Sequence, residues 1–143
     1  MRIKLLICAL LLALLTPALS SCSTKGNVFS LNVGDCFNGS IFGEVENVDI
    51  VNCSSSHNGE IFAEFNVNKD DWPGEPYLDS LAENECISRF KSYVGVSYES
   101  SMWYVAFLAP TISSWNQAND REISCIIEPE YGKTSTKARN SRT

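Results

Sequence analysis

The sequence predicts an α+β domain: a small antiparallel or mixed sheet of about five strands, with one main helix packed on a face and two disulfides as staples. Two observations lead to this fold class. Segments with the apolar alternation of strands come before and after a single strongly helical segment. Four cysteines follow a signal-like opening in a chain of 143 residues, a length that fits one domain.

Three strands are predicted before the helix, over residues 28–37, 45–53 and 60–67. The third has the clearest alternation, and it places on one side Ile61, Ala63, Phe65 and Val67. A turn over residues 71–74, which contains Pro73 and Gly74, then separates the strands from the helix.

The main helix is predicted to begin at Glu75 and Pro76, and Gly95 is well placed to end it. One helical face carries an apolar stripe that comprises Leu78, Leu81, Ala82, Cys86, Phe90 and Tyr93. Residues 102–108 are apolar on both faces and predict a central strand. A loop with one helical turn around Trp115 is expected over residues 110–120, and a last strand over residues 122–127.

The first 21 residues predict an export signal, because Arg2 and Lys4 precede an apolar run over residues 5–15 and a break at Pro17. A helix rises about 1.5 Å per residue, so this run is too short to cross a hydrocarbon core about 30 Å thick. Residues 19–22, Leu-Ser-Ser-Cys, resemble the lipobox of bacterial lipoproteins. The resemblance implies cleavage before Cys22 and a lipid on its thiol, which anchors the chain to the extracytoplasmic face of the cell membrane.

After the signal, the chain is expected to divide into a polar tether (residues 22–27), a folded domain (28–130) and a disordered basic tail (131–143). Without the signal the net charge is −8, from 9 basic and 17 acidic side chains. All of the acidic residues fall in the domain. A domain this acidic repels nucleic acid, so we expect no nucleic-acid partner.

Four cysteines, Cys36, Cys53, Cys86 and Cys125, remain once Cys8 and Cys22 are set aside. In an exported domain they predict two disulfides, and spacing alone does not choose among the three pairings. The order of the elements suggests the pairs Cys36–Cys53 and Cys86–Cys125. Cys36 and Cys53 lie on consecutive strands, while Cys86 is on the helix stripe and Cys125 on an inward strand face. No CxxC spacing occurs, and we expect no metal and no other cofactor.

An ordered series of short motifs resembles the septum formation domain family of actinobacteria. It includes residues 33–37 (VGDCF), 51–53 (VNC), 57–63 (HNGEIFA), 72–74 (WPG) and 93–95 (YVG), and continues through Trp115, the pair at 120–121 (DR) and Cys125. The match extends from about residue 31 to residue 127. Members commonly have Pro-His where this chain has Ser56 and His57.

The resemblance implies an exported, disulfide-stapled domain at the cell membrane of a Gram-positive-type bacterium. The family name is tied to formation of the division septum. No shared enzymatic activity is implied.

Two sets of side chains are candidate binding residues. His57 and Glu60 lie together at the start of a strand, although no serine-hydrolase elbow accompanies them and a structural turn explains them better. Trp72 and Trp115 lie in predicted loops, where a partly exposed ring can contact a carbohydrate or a peptide. Trp103 lies in an apolar strand and is expected to be core.

The sequence therefore predicts a membrane-anchored binding or structural module of the cell envelope, without catalytic residues, that acts in septum formation and cell division. Its expected partners are the membrane, through Cys22, and an envelope protein or wall component. The alternative is an envelope enzyme or sensor that acts on cell-wall material through the loop of His57 and Glu60.

Overall fold

The computed structural model describes residues 24–41 and 47–143. Its six-stranded antiparallel sheet and two α-helices confirm the predicted α+β class, with one strand more than expected. The predicted signal and Cys22, the predicted site of the lipid, lie outside the described residues. The elements are β1 (Thr24–Asn27), β2 (Cys36–Asn38), β3 (Asn47–Val51), β4 (Gly59–Asn66), α1 (Glu75–Val94), β5 (Trp103–Leu108), α2 (Ile112–Ala118) and β6 (Glu122–Pro129).

The strands lie in the order β1-β3-β2-β4-β6-β5, and every neighbouring pair is antiparallel. Strands β4 and β6 are the most buried, and their register shifts once, between Ile61 and Ala63. None of the helices in the described ranges combines the length and the apolar composition needed to cross a membrane.

Helix α1 has the predicted bounds and the predicted buried face. Gly95 ends it with a φ of 98°, a left-handed conformation that glycine adopts at little cost, and its amide donates to the Lys91 carbonyl at 2.9 Å. The stripe packs on one face of the sheet. The main core formed there includes Phe62, Leu78, Ala82, Phe90, Trp103, Trp115, Ile123 and Ile127.

Both predicted disulfides are present with the predicted pairing. Cys36–Cys53 closes a sequence separation of 17 residues between β2 and the end of β3. Cys86–Cys125 closes a separation of 39 residues and joins α1 to β6 within the main core. In the chain-entropy model each contributes about 3 to 4 kcal/mol to the free energy of unfolding.

The second face of the sheet is covered by the chain that follows β1. Its smaller core consists of Val28, Leu31, Phe37, Val48, Ile61 and Ile126. The prediction of one strand over residues 28–37 is wrong, because a 3₁₀ turn (Val28–Ser30) and a loop precede β2. The side-chain oxygens of Asn27 and Asp35 accept local hydrogen bonds from the amides of Phe29 and Asn32, and these bonds stabilise the turn and the loop.

The predicted tether is corrected as well, since residues 24–27 form strand β1. This strand pairs with β3 in the register Thr24↔Ile50 to Asn27↔Asn47. Its polar sequence did not indicate a strand, because an edge strand is held by backbone hydrogen bonds rather than by apolar side chains.

Strand β5 lies at the opposite edge of the sheet, so its prediction as a central strand is also wrong. Its side chains contribute to two cores. Val105 and Phe107 pack against the main core, while Ala106 and Leu108 pack against the smaller one. The apolar pattern on both faces therefore reflects a sheet covered on both sides, not a strand with two neighbours.

The C-terminal tail, residues 131–143, is ordered in the structure, which overturns the expectation of disorder. Thr134 pairs with His57 through two backbone hydrogen bonds of 2.8 Å. The amides of Asn140 and Arg142 donate to the carbonyls of Tyr93 and Val94, at 2.9 and 3.0 Å. These carbonyls end α1 and have no partner within the helix. The composition of the tail did not indicate that the tail is ordered, because backbone groups make the hydrogen bonds that hold it.

Glu64 lies on the second face of the sheet, in register with Ser124. Burial raises the pKa of its carboxyl, and the nearby Glu122 and Asp35 raise that pKa further. Its Oε1 atom is shielded from solvent and has no hydrogen-bond partner among the described residues. The ionised form of Glu64 is therefore disfavoured in the folded protein.

A raised pKa in the folded state stabilises the protein below the unfolded pKa of about 4.3 and reduces its stability as pH rises above that value. We therefore expect Glu64→Gln to raise the free energy of unfolding at pH 7, by less than about 1 kcal/mol because solvent screens this group. At pH 3 the difference should disappear. Thermal unfolding at both pH values checks this, with the exposed Glu99→Gln as control. A loss of stability at pH 7 would contradict it.

Candidate functional site

His57 and Glu60 lie inside the protein, where they join the sheet to the tail. Glu60 is 1 % exposed, and Cys36 is its partner across β2 and β4. Its Oε1 accepts a hydrogen bond from the Tyr93 hydroxyl and its Oε2 accepts one from the Ala138 amide, both at 2.6 Å. Both carboxylate oxygens thus have donors, one from α1 and one from the tail.

These surroundings change the pKa of the Tyr93 phenol. Burial raises the pKa of the Tyr93 phenol far above its ordinary value, and its hydrogen bond to Glu60 raises that pKa further. The guanidinium of Arg139 lies 4.8 Å from the centre of the Tyr93 ring and opposes part of the increase. The phenol therefore remains a hydrogen-bond donor at any physiological pH.

His57 is 2 % exposed, and its Nδ1 lies 2.8 Å from the Ser55 carbonyl oxygen. Its backbone pairs with Thr134, so the tail covers the turn that carries it. Neither His57 nor Glu60 reaches the surface on which the sequence placed a binding loop. The sequence did not indicate their burial because the tail residues that cover them, Thr134 and Ala138, are more than 70 positions away.

One group of possible metal ligands occurs among the described residues. The ligand atoms of Cys36, His57 and Glu60 lie within 4.8 Å of one another. The Cys36 sulfur is bonded to Cys53, however, and a disulfide sulfur is not the thiolate that binds a metal. With both Glu60 oxygens accepting hydrogen bonds as well, this group is a structural network and not a built metal site.

Trp115 is buried rather than partly exposed in a loop, so that expectation is wrong. It lies in α2, 2 % exposed, and its Nε1 donates to the Asp70 carbonyl at 3.2 Å. Thr111 begins α2 with a capping box that includes Ser114. The sequence indicated only one helical turn around Trp115, because a helix of seven residues is too short to show a clear apolar period.

Arg121 holds the loop before α1 against α2. Its guanidinium carbon lies 3.7 Å from the centre of the Trp115 ring. Its nitrogens donate to the carbonyls of Lys69, Asp70 and Trp115 at 3.1–3.2 Å. The sequence did not indicate these contacts of Arg121, because the acceptors are backbone atoms that no motif reveals.

Trp72 is half-buried and packs edge-on against Trp115, with 5.5 Å between ring centroids. It lines an open cavity of about 470 Å³. We call this cavity the aromatic pocket, and it is lined by Lys69, Asp70, Asp71, Trp72, Pro73 and Tyr77. Tyr77 is exposed and the Lys69 ammonium lies 5.6 Å from its ring centre. Of the candidate binding residues, Trp72 is therefore the one that reaches the surface.

The domain model of the septum formation family matches residues 33–142. The chain belongs to the septum formation family. This confirms the resemblance in the sequence, and the matched region includes nearly all of the tail. The tail is thus part of the septum formation domain, as its hydrogen bonds to β4 and α1 require.

The chain is also similar to a lipoprotein named LppN from Mycobacterium tuberculosis and to its counterpart in Mycobacterium bovis. Each is 27 % identical over 125 residues, which cover 85 % of this chain and 68 % of the relative. No solved structure matches the chain.

The buried network of this septum formation domain predicts a specific loss of stability. Tyr93→Phe removes the donor to Glu60 Oε1 and leaves a buried carboxylate oxygen unpaired. We expect the free energy of unfolding to fall by about 1 to 3 kcal/mol. Urea denaturation followed by tryptophan fluorescence measures it.

The matched control is Tyr131→Phe, which removes the same hydroxyl from a side chain that is 82 % exposed. This control should change the free energy of unfolding by less than about 0.5 kcal/mol. If the two variants are equally stable, the hydrogen bond between Tyr93 and Glu60 does not support the fold.

Proposed function

We propose that this protein is a lipoprotein of the cell envelope, anchored by Cys22 on the extracytoplasmic face of the membrane, that binds another envelope component during septum formation and catalyses no reaction. Family membership supports the link with the septum. The lipobox-like residues 19–22 and the name of the LppN relatives support the lipid anchor. Two disulfides suit an oxidising, exported location.

Strand β1 begins at Thr24, two positions after Cys22. Two residues span at most about 7 Å, so an anchor at Cys22 holds the sheet directly against the membrane surface. A domain held in this way meets partners that are themselves in or near the membrane, and this favours an envelope component as the partner.

The observation that carries the binding role is the half-buried Trp72 in the aromatic pocket. Trp115 and Arg121 fix the loop that presents it. A ring held in place before binding loses little conformational freedom when a partner packs on it, and aromatic side chains supply large contact areas. Exposed Lys69, Asp70 and Asp71 add charged groups at the rim.

The burial of His57 and Glu60 favours this role over the alternative of an envelope enzyme. A catalytic acid or base must come within hydrogen-bond reach of its substrate. The oxygens of Glu60 are engaged by Tyr93 and Ala138, and the tail covers His57. These contacts favour a structural role for His57 and Glu60.

The test is crosslinking in living cells with the full chain, followed by affinity purification and mass spectrometry. We expect at least one envelope protein to be recovered with the wild type and to fall about tenfold or more with Trp72→Ala, a loss of about 1.4 kcal/mol in binding. The matched control, Tyr131→Ala, removes an exposed ring outside the aromatic pocket and should leave recovery unchanged.

Wild type and both variants must first show the same thermal unfolding, because Trp72 also contacts the core. Wall polymer is tested separately, by sedimentation of the same proteins with isolated cell wall. If no envelope protein and no wall polymer depends on Trp72, the aromatic pocket is not the binding site.

A further inference from the structure

Strand β5 leaves one side of its backbone without a strand neighbour. It pairs with β6 in an uninterrupted register from Trp103↔Pro129 to Leu108↔Ser124. Over residues 24–41 and 47–143, no other strand pairs with it. The amides and carbonyls that point away from β6 therefore form an open sheet edge.

Proteins usually protect such edges with charged residues, proline, bulges or short strands. The opposite edge, β1, follows this rule, since it has four residues and includes Lys25 and Gly26. Strand β5 has six residues, Trp-Tyr-Val-Ala-Phe-Leu, with no charge, no proline and no bulge. The two edges of one sheet thus differ, and only β5 is suited to pair with another chain.

The exposed apolar side chains near this edge point to the same conclusion. Met102 is 62 % exposed just before the strand, and Tyr104 is 51 % exposed within it. On the same face as Tyr104, Ala106 and Leu108 are only partly buried against the smaller core. A strand paired along β5 would cover these side chains as well as the backbone.

The charge distribution favours a second copy of this chain as the partner of β5. The chain has a net charge of −6, yet residues 100–119 contain no charged side chain, and Glu99 and Asp120 flank them. Two copies of an acidic protein repel each other over most of their surfaces. At β5 two copies can approach without placing like charges opposite one another, and the backbone hydrogen bonds of an edge are self-complementary.

We propose that two copies of this chain pair through their β5 strands in an antiparallel, twofold arrangement that joins two six-stranded sheets into one. Antiparallel partners place directly opposed side chains on the same face of a sheet. If the twofold axis passes Val105, Tyr104 lies opposite Ala106 of the second copy. If it passes Ala106, Tyr104 lies opposite Leu108. In either register the exposed Tyr104 ring covers an apolar side chain of the other copy.

The test places a photo-reactive benzoylphenylalanine at position 104 of the full chain, in the cells that export it. After irradiation we expect a product of twice the monomer mass, and mass spectrometry should find peptides of this chain on both sides of the crosslink. The matched control carries the same probe at Tyr77, an exposed tyrosine on α1 outside the β5 edge, and should give no such product.

A second measurement separates pairing from chance contact. With the probe at Met102, Tyr104→Lys adds a charge to the edge of each copy and should lower the crosslinked dimer at least tenfold, whereas Tyr77→Lys should not. Intact disulfides and unchanged thermal unfolding verify that each variant is folded.

Three outcomes would overturn the proposal. The first is a crosslink from position 104 only to a different protein, and the second is no crosslink at all. The third is a crosslinked dimer that survives Tyr104→Lys. The proposal does not depend on the aromatic pocket, because Trp72→Ala leaves β5 unchanged.

Discussion

The buried carboxylate of Glu60 is the constraint on which the rest of the structure depends. A carboxylate taken out of water must be met by donors, or the folded state becomes costly. Here the two donors come from parts of the chain far apart in sequence, the Tyr93 hydroxyl on α1 and the Ala138 amide in the tail. Satisfying one side chain of β4 therefore fixes the end of the helix and the path of the last residues.

The surroundings of Glu60 follow from this arrangement. Cys36 lies opposite it on β2 and is bonded to Cys53, which anchors the turn leading to His57. The tail then pairs with His57 and supplies amides to the final carbonyls of α1. At one end of the molecule, the Cys36–Cys53 disulfide, the hydrogen bonds of Glu60 and the backbone of the tail therefore hold the sheet and α1 together. The candidate binding features lie elsewhere, since Tyr77 of the aromatic pocket is 16 residues before Tyr93 on α1, or about 24 Å away along the helix axis.

Sequence patterns predicted the elements that depend on local or apolar signals. Helix α1 has a clear apolar stripe with Gly95 at its end, and each disulfide joins positions that the predicted elements bring together. The patterns failed where backbone groups carry the structure. Strand β1 and the tail are polar segments held by hydrogen bonds to β3, β4 and α1. The amino-acid composition of a segment does not predict such bonds.

The candidate site was predictable to a similar extent. The sequence identified Trp72, but it could not show that Trp115 is core, because Arg121 and the Asp70 carbonyl that hold it are brought there only by the fold. It also offered His57 and Glu60 as candidate binding residues, and both are buried. The polar hydroxyl of Tyr93 at the end of an otherwise apolar stripe was a usable signal, since a buried tyrosine hydroxyl usually has a hydrogen-bond partner.

Amide hydrogen exchange of the full chain in detergent micelles, followed by NMR, tests most directly whether Glu60 fixes the tail. The account predicts that the amides of Ala138, Asn140 and Arg142 exchange as slowly as those of β4 and β6. In Glu60→Gln, which cannot accept both hydrogen bonds as the carboxylate does, these three amides should exchange at least tenfold faster. Exchange of the tail at the rate of an unstructured peptide in the wild type would contradict the account.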